Sequence, residues 1–517
     1  MLVFSCKQTW RKKMKSLKRT VSKILLNNMY LKISLDQEGM QQKQEENFVE
    51  LKKKLHSTDI YRDHGLNNIE SYDNFIQRVS SSEYDKFAPY VESLVGQESR
   101  VLFKNRVQCF GLTSGTSGQD SKRVPYNKDM IDIFKRAQKY QASVINHIVG
   151  GIDLVNSPRL SYGSTPKNYT ANGVEYGYIS GILSSQTPKM LKKVTFPSQE
   201  ILEIEDWNEK IQRIVEQSTL QDIQIASAIP TYLIAIFEEV LKTTGKRYIK
   251  DIWPNLETII YGATPIDSYK ERINELVGKR LNYFGVYAST EAPIGIGINN
   301  AKDDKQLYAF NPDLIYSFES TETSEVLSIG KVVAGGEYLL NITTPNGFLN
   351  YTMKDIVRIK STSPILTFEI LGRQGSGINL GAEKTSDQQV LDTVVELNKS
   401  LGKSVDHYFL SPGTRDERAC YKWTLFSNQL NVDVKFLERI LDEAMSLSNP
   451  DYLDCREQGI IASPVVEVVT SEILDEYFSR FREKGQFKMK TVFSCADSFN
   501  GFIKSVLPEL SVVGISA

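Results

Sequence analysis

Residues 112–125 read Leu-Thr-Ser-Gly-Thr-Ser-Gly-Gln-Asp-Ser-Lys-Arg-Val-Pro, and no other stretch restricts the fold of the chain as strongly. Four hydroxyl side chains, Thr113, Ser114, Thr116 and Ser117, surround two glycines, Gly115 and Gly118, and Lys122 follows. Glycines let successive backbone N–H groups turn toward one point, and hydroxyls add donors that rotate to suit an acceptor. Val107, Cys109, Phe110 and Leu112 before it have the pattern of a strand, and residues 128–148 have the spacing of a helix. A loop between strand and helix is a frequent phosphate site, although the same composition also suits a solvated turn. A Walker-type P-loop is excluded. That motif places Gly-Lys-Ser/Thr at its end, whereas Gln119 follows Gly118 here.

Beyond the loop the chain alternates. Residues 159–162 and 177–183 are strand-like, 206–217 helical, 223–228 a strand and 231–243 a helix. A strand at 258–261, a helix at 268–277 and a strand at 280–284 follow, with Trp253 and Pro254 read as packing and helix termination. Such alternation predicts an α/β sheet with crossover helices, whose ligands gather at strand ends. Three ends carry the informative residues: 113–118, 262–265 and 285–291. Upstream, Phe48, Leu51 and Leu55 mark one face of a helix over 46–65, and 71–79 and 83–94 are two more helical pieces. From 307 to 370 short alternating strands predict an antiparallel sheet or small barrel attached to the main unit. Residues 386–517 read as a small α+β unit, with helices at 386–401, 433–446 and 472–483 and strands at 405–411, 418–426 and 464–469.

A chain of 517 residues is too long for one ordinary core. The expected division is a basic, then polar arm (1–45), a large unit (46–371), a connector (372–385) rich in glycine, and the small unit (386–517). A net charge of −1 gives no argument for a nucleic-acid partner. No apolar run reaches the ~18 residues of a membrane span. The five cysteines lie apart, as reduced thiols of a cytoplasmic protein do, and the four scattered histidines complete no zinc site.

The order Ser114-Gly115-Thr116-Ser117-Gly118, then Lys122, resembles the phosphate loop of the adenylate-forming (firefly-luciferase-like) superfamily. Gly285-Val286-Tyr287-Ala288-Ser289-Thr290-Glu291 is similar to its aromatic-small-x-Thr-Glu motif. Trp253-Pro254-Asn255-Leu256 and the His64-Gly65 turn bring the closest variant to the Gretchen Hagen family of auxin-responsive acyl acid amido synthetases, over roughly residues 48–490. The resemblance implies a large α/β adenylating domain, with mixed sheets and a small barrel-like part, and a small α+β domain on a hinge. It implies that Thr113–Gly118 and Lys122 hold the phosphates of ATP, with Gly262, Ala263 and Thr264 beside the nucleotide. Tyr287 then stacks on adenine, Thr290 holds the α-phosphate and Glu291 coordinates Mg²⁺. In Tyr351-Thr352-Met353-Lys354-Asp355 the family carries Tyr-Arg-x-Gly-Asp, so Asp355 is the expected ribose ligand while Thr352 and Lys354 depart. Arg373 is a further ribose contact, and Lys384 and Lys488 are the expected catalytic lysines, with Lys490 in place of a proline. The implied activity is adenylation of a carboxylic acid with release of pyrophosphate, then acyl transfer to an amine of the amino-acid class. An acyl-CoA ligase and a non-catalytic nucleotide-binding homologue are the alternatives. The acid, the amine and the oligomeric state are left open.

Overall fold

The computed structural model describes residues 24–113, 122–150, 153, 156–164, 169–267, 269–302, 304–381, 383–428, 430, 432–474 and 489–506. Its largest element is one 12-stranded sheet. From one edge, Thr195–Phe196, Arg159–Ser161, Ile225–Ser227, Thr258–Gly262 and Asn282–Ala288 run parallel. Pro293–Gly297, Tyr308–Phe310, Thr367–Arg373, Tyr351–Ser361, Glu337–Thr343, Ile315–Ser320 and Val326–Leu327 then continue it antiparallel. The short strands after residue 307 therefore extend the main sheet; the barrel-like part expected from sequence is its antiparallel half.

Both faces of the parallel half are covered, which is why its strands are short apolar runs without polar alternation. Ala226, Ile259 and Tyr283 pack on one side with Ile236 and Phe237 of the helix Pro230–Thr244. Their neighbours Ile225, Ile260 and Phe284 pack on the other with Tyr140, Val144 and Ile145 of the helix Lys128–Ile148. Trp253 is buried, edge-on to Phe237, and its indole N–H donates to the Ser218 carbonyl at 3.1 Å, as the packing role expected.

A separate 4-stranded sheet has the order Arg123–Tyr126, Cys109–Leu112, Val174–Gly177, Tyr169–Ala171. Its core is continuous with the antiparallel half and with the helices Gln37–Leu55, Tyr72–Arg78 and Tyr84–Val95. The helix expected over 46–65 starts at Gln37, nine residues early, because Asp36 caps it by accepting from Gly39 N at 2.9 Å. Its stripe Met40, Gln44, Phe48, Leu51, Leu55 includes a buried polar residue: Gln44 accepts from Tyr316 N at 2.8 Å and donates to the Leu314 carbonyl at 3.1 Å. The strand expected over 177–183 is the end of Val174–Gly177 followed by the helix Ile179–Ser185, which buries Ile179 and Ile182 three residues apart.

The C-terminal part has its own core under the sheet His407–Arg415, Arg418–Phe426, Ala462–Val469, covered by the helices Asp387–Leu401 and Val434–Ser448. Among the described residues no helix is long and apolar enough to cross a membrane.

Candidate active site

The hydroxyl-rich loop hangs from a β-hairpin. Leu112 pairs with Arg123 across antiparallel strands, and Thr113 closes the neck: its N–H donates to the Lys122 carbonyl and its Oγ1 accepts from Lys122 N, both at 3.1 Å. Ser114, Gly115, Thr116, Ser117 and Gly118 lie outside the described residues. The expected strand–loop–helix order is corrected here. The strand Arg123–Tyr126 intervenes, and Asn127 caps the following helix by accepting from Met130 N at 2.9 Å. The helix Lys128–Ile148 thus follows the strand Arg123–Tyr126 and does not begin directly after the loop. The hairpin needs a glycine at 111, since a Cβ there would overlap the hydroxyl of Tyr126.

That Tyr126 hydroxyl donates to the carbonyl of Thr290, joining the hairpin to the second motif. Tyr287 to Glu291 end one strand and turn into Pro293–Gly297. Ser289 shapes the turn: its N–H donates to the Ala292 carbonyl at 2.9 Å and its Oγ accepts from Glu291 N at 3.1 Å. Thr290 Oγ1 lies 3.5 Å from the Leu112 carbonyl, at the root of the loop. Glu291 is only 9% exposed, and one of its oxygens accepts from the Tyr351 hydroxyl at 3.0 Å. The Tyr351 ring stacks on Phe348 at 5.3 Å. Burial first, then the Glu291 charge, pushes the Tyr351 phenol well above its ordinary range, so it remains a donor.

The third motif lies on the neighbouring strand. The Tyr287 hydroxyl donates to Asp355, and burial followed by the Asp355 charge keeps that phenol protonated. Asp355 stands opposite Arg373 in the strand pairing. Lys354 beside it has φ +59°, the left-handed conformation glycine adopts freely and a lysine does not. Lys354 therefore holds a backbone conformation that glycine favours. At the third strand end, Ala263 is also left-handed, at φ +71°, and Thr264 N donates to the Gly262 carbonyl at 2.9 Å. Thr264 Oγ1 is buried without a hydrogen-bond partner among the described residues.

Thr113, Lys122, Tyr287, Thr290, Glu291, Asp355 and Arg373 are thus brought together. Lys384 has no side-chain contact with them among the hydrogen bonds and ion pairs of the described residues. It is exposed, and its N–H donates to Asn379 Oδ1 at 3.3 Å. Its neighbour Glu383 is 1% exposed and accepts from Leu380 N at 2.6 Å, Gly381 N at 2.8 Å and the Tyr421 hydroxyl at 2.9 Å, which ties this segment to the C-terminal core. Lys488 lies outside the described residues. Tyr84, Tyr126 and Tyr351 were missed from sequence, because a phenol's partner is set by packing; the place of Tyr351 inside the third motif was the available signal.

Two family models match the chain: the GH3 family N-terminal domain over residues 31–213, which includes the loop neck, and the GH3 family central domain over 303–373, which includes Asp355 and Arg373. The indole-3-acetic acid-amido synthetase GH3.8 of Oryza sativa subsp. indica is 21% identical, over 82% of this chain and 84% of that one. The 4-substituted benzoates-glutamate ligase GH3.12 of Arabidopsis thaliana is 20% identical, over 80% and 86%. A solved structure of AtGH3.15 acyl acid amido synthetase in complex with 2,4-DB shares the fold with a TM-score of 0.75 at 15% identity, covering 95% of this chain and 96% of that one. A 2-hydroxyisobutyryl-CoA ligase in the postadenylation state does so with a TM-score of 0.59 at 12% identity, covering 91% of each. Two models from one family, matched in order along the chain, lead to one conclusion: residues 31–213 and 303–373 of this chain are GH3-family N-terminal and central domains.

Proposed function

We propose that this protein is an ATP-dependent acyl acid amido synthetase, an AMP-forming ligase that joins a carboxylic acid to an amino acid. The observation that carries the reading is the meeting of two strand ends and a neighbouring strand, with Thr290 against the root of the hydroxyl-rich loop and Tyr287 on Asp355. In the first step a carboxylate oxygen of the acid attacks the α-phosphorus of ATP, and the bond to pyrophosphate breaks. In the second the amine nitrogen attacks the acyl carbon, AMP leaves with the bonding electrons, and the nitrogen gives up a proton. Neither step needs a nucleophilic side chain. The protein's work is orientation and charge stabilisation.

In this reading the loop donors from Thr113 to Gly118, with Lys122, hold the phosphates. Thr290 contacts the α-phosphate, Tyr287 flanks adenine near Gly262 to Thr264, and Asp355 and Arg373 take the ribose. The partnerless Thr264 Oγ1 supports a polar ligand at that strand end. Glu291, a carboxylate, would hold Mg²⁺, a hard cation that takes oxygen ligands. When bound it supplies charge neutralisation. Glu291 suits this because Tyr351 fixes one carboxylate oxygen. Lys488 and Lys384 would reach the site with the C-terminal part. A division into 1–45, 46–371, 372–385 and 386–517 serves that movement, with the pivot near Gly375, where a Cβ would meet nothing within 4 Å. The free thiols of Cys109, Cys420, Cys455 and Cys495 support a cytoplasmic setting.

Acid-dependent exchange of pyrophosphate into ATP tests the first step, and mass spectrometry of products with amino acids or with CoA tests the second. A thioester without an amide, or no exchange with any acid, would overturn the reading.

A further inference from the structure

Lys354 is the one non-glycine residue with positive φ inside a described strand; the others sit in turns or at element ends. The strand is distorted to hold it. Pairing jumps from Leu339–Ile356 to Asn341–Thr352, so Met353, Lys354 and Asp355 together face Leu340. Two hydrogen bonds fix the bulge: Lys354 N donates to Thr352 Oγ1 at 3.3 Å, and Gln374 N donates to the Lys354 carbonyl at 2.6 Å.

The side chain reaches Glu83 at 2.7 Å, and that pair is partly solvated, at 35% and 57% exposure. Pairs so exposed add little stability, so this one does not explain a strained lysine within a strand. The place of the lysine does. The 82–84 segment runs beside it, with Ser82 N donating to the Asn350 carbonyl at 3.1 Å and Thr352 N to the Ser82 carbonyl at 3.0 Å. Next in that segment, Tyr84 lies under the Lys122 ammonium, 5.3 Å from ring to Nζ, and its hydroxyl accepts from Arg123 N at 3.1 Å. Lys354 thus stands between the neck of the hydroxyl-rich loop and the Asp355–Arg373 pair. Glu83 is held below the usual carboxylate range by Lys354 first, with smaller contributions from Lys122 and Arg373. Of these, Lys354 is the cation in contact with it.

We propose that Lys354 binds the phosphate chain of the nucleotide, with Glu83 as the counter-ion it leaves or shares when that anion arrives. This rests on the ATP reading above. The bulge places Lys354 next to Asp355, and its ammonium meets Glu83, the neighbour of the Tyr84 that lies under Lys122. Two of its N–H groups remain beyond the one given to Glu83. Strain kept at such a position is characteristic of a ligand contact.

Calorimetry on the full-length protein tests the proposal, with ATP and with adenosine as probes. Lys354→Gln should weaken ATP about tenfold or more while adenosine binds as to wild type, because only the phosphates lose a partner. Lys354→Gly, which suits the backbone, should show the same split and so separate charge from strain. Glu83→Gln should bind ATP at least as tightly as wild type. Wild-type ATP affinity in both Lys354 variants overturns the proposal, as does an equal loss for ATP and adenosine, which would assign the lysine to the shape of the Asp355 site. If the wild-type protein itself binds no ATP, the functional reading fails and this inference with it.

Discussion

Replacing Tyr351 with phenylalanine removes one oxygen and nothing else, and the surroundings say what that oxygen does. Tyr351 is 5% exposed and Glu291 9%, and the 3.0 Å hydrogen bond between them is given to a carboxylate. A hydrogen bond to a charged group contributes about 1.5–3 kcal/mol, and little water reaches Glu291 to replace it. The ring stays in place, because Phe348 stacks on it at 5.3 Å and Phe87 lies 5.9 Å away. Part of the lost energy will appear as reduced stability. The rest will appear as a freer Glu291 carboxylate, and at about 1.4 kcal/mol per factor of ten the total corresponds to roughly 10–100-fold in metal affinity if all of it falls there. The expected result is a raised Mg²⁺ requirement in acid-dependent pyrophosphate exchange, matched by weaker Mn²⁺ binding in the presence of ATP measured by electron paramagnetic resonance. A Tyr351→Phe protein with wild-type thermal midpoint and wild-type Mn²⁺ affinity would refute the reasoning, because the bond would then hold nothing in place.

Three further outcomes are expected. Ser114→Ala with Thr116→Ala should lower adenylation by ~10²–10³ per lost donor without unfolding the protein, measured by pyrophosphate exchange beside a thermal melt. Lys488→Ala should slow adenylation far more than transfer from a supplied acyl-adenylate, and single-turnover measurement of each half separates the two; equal slowing would remove the lysine from the first step. His407 is buried, which pushes its imidazole from the ordinary 6.5 down to about 3. The unfolded chain therefore binds a proton that the folded one refuses, so stability is complete above pH 6.5 and drains away as pH falls toward 3. His407→Gln should flatten that decline by about 2 kcal/mol between pH ~6.5 and ~5, read from urea melts across that range.

What was legible in the sequence is what short-range pattern records. The parallel strands announce themselves because both their faces are apolar, and Tyr287, Thr290, Glu291 and Asp355 stand in motifs whose spacing the backbone preserves. Four-residue strands carry too little pattern: Arg-Val-Pro-Tyr at 123–126 contains a proline and reads as loop, yet it pairs with 109–112 because Pro125 faces Phe110 at a position where an amide is dispensable. Residues 37–47 are almost entirely polar, so nothing marked Met40 and Gln44 as one face of a helix until the strand Ile315–Ser320 was seen beneath them. Tyr351 was visible as a letter in a motif, but its partner lies sixty residues away, and only the pleat that turns it toward Glu291 gives it a task.

The loop and the turn that meet in the site belong to different sheets. One sheet ends in Leu112 and Thr113, the other in Ala288, and Tyr126 and Thr290 link them at the seam. Behind the loop the smaller sheet is keyed by aromatic rings, with Tyr176 stacked on Phe110 at 4.8 Å and on Tyr169 at 4.6 Å. Dense interiors pass displacement along, and a shift of about 1 Å in a reacting group can cost ~10²-fold in rate. Substitutions at Phe110, Tyr169 or Tyr176 are therefore routes by which selection, or an engineer, can retune turnover through the stacked rings of the smaller sheet.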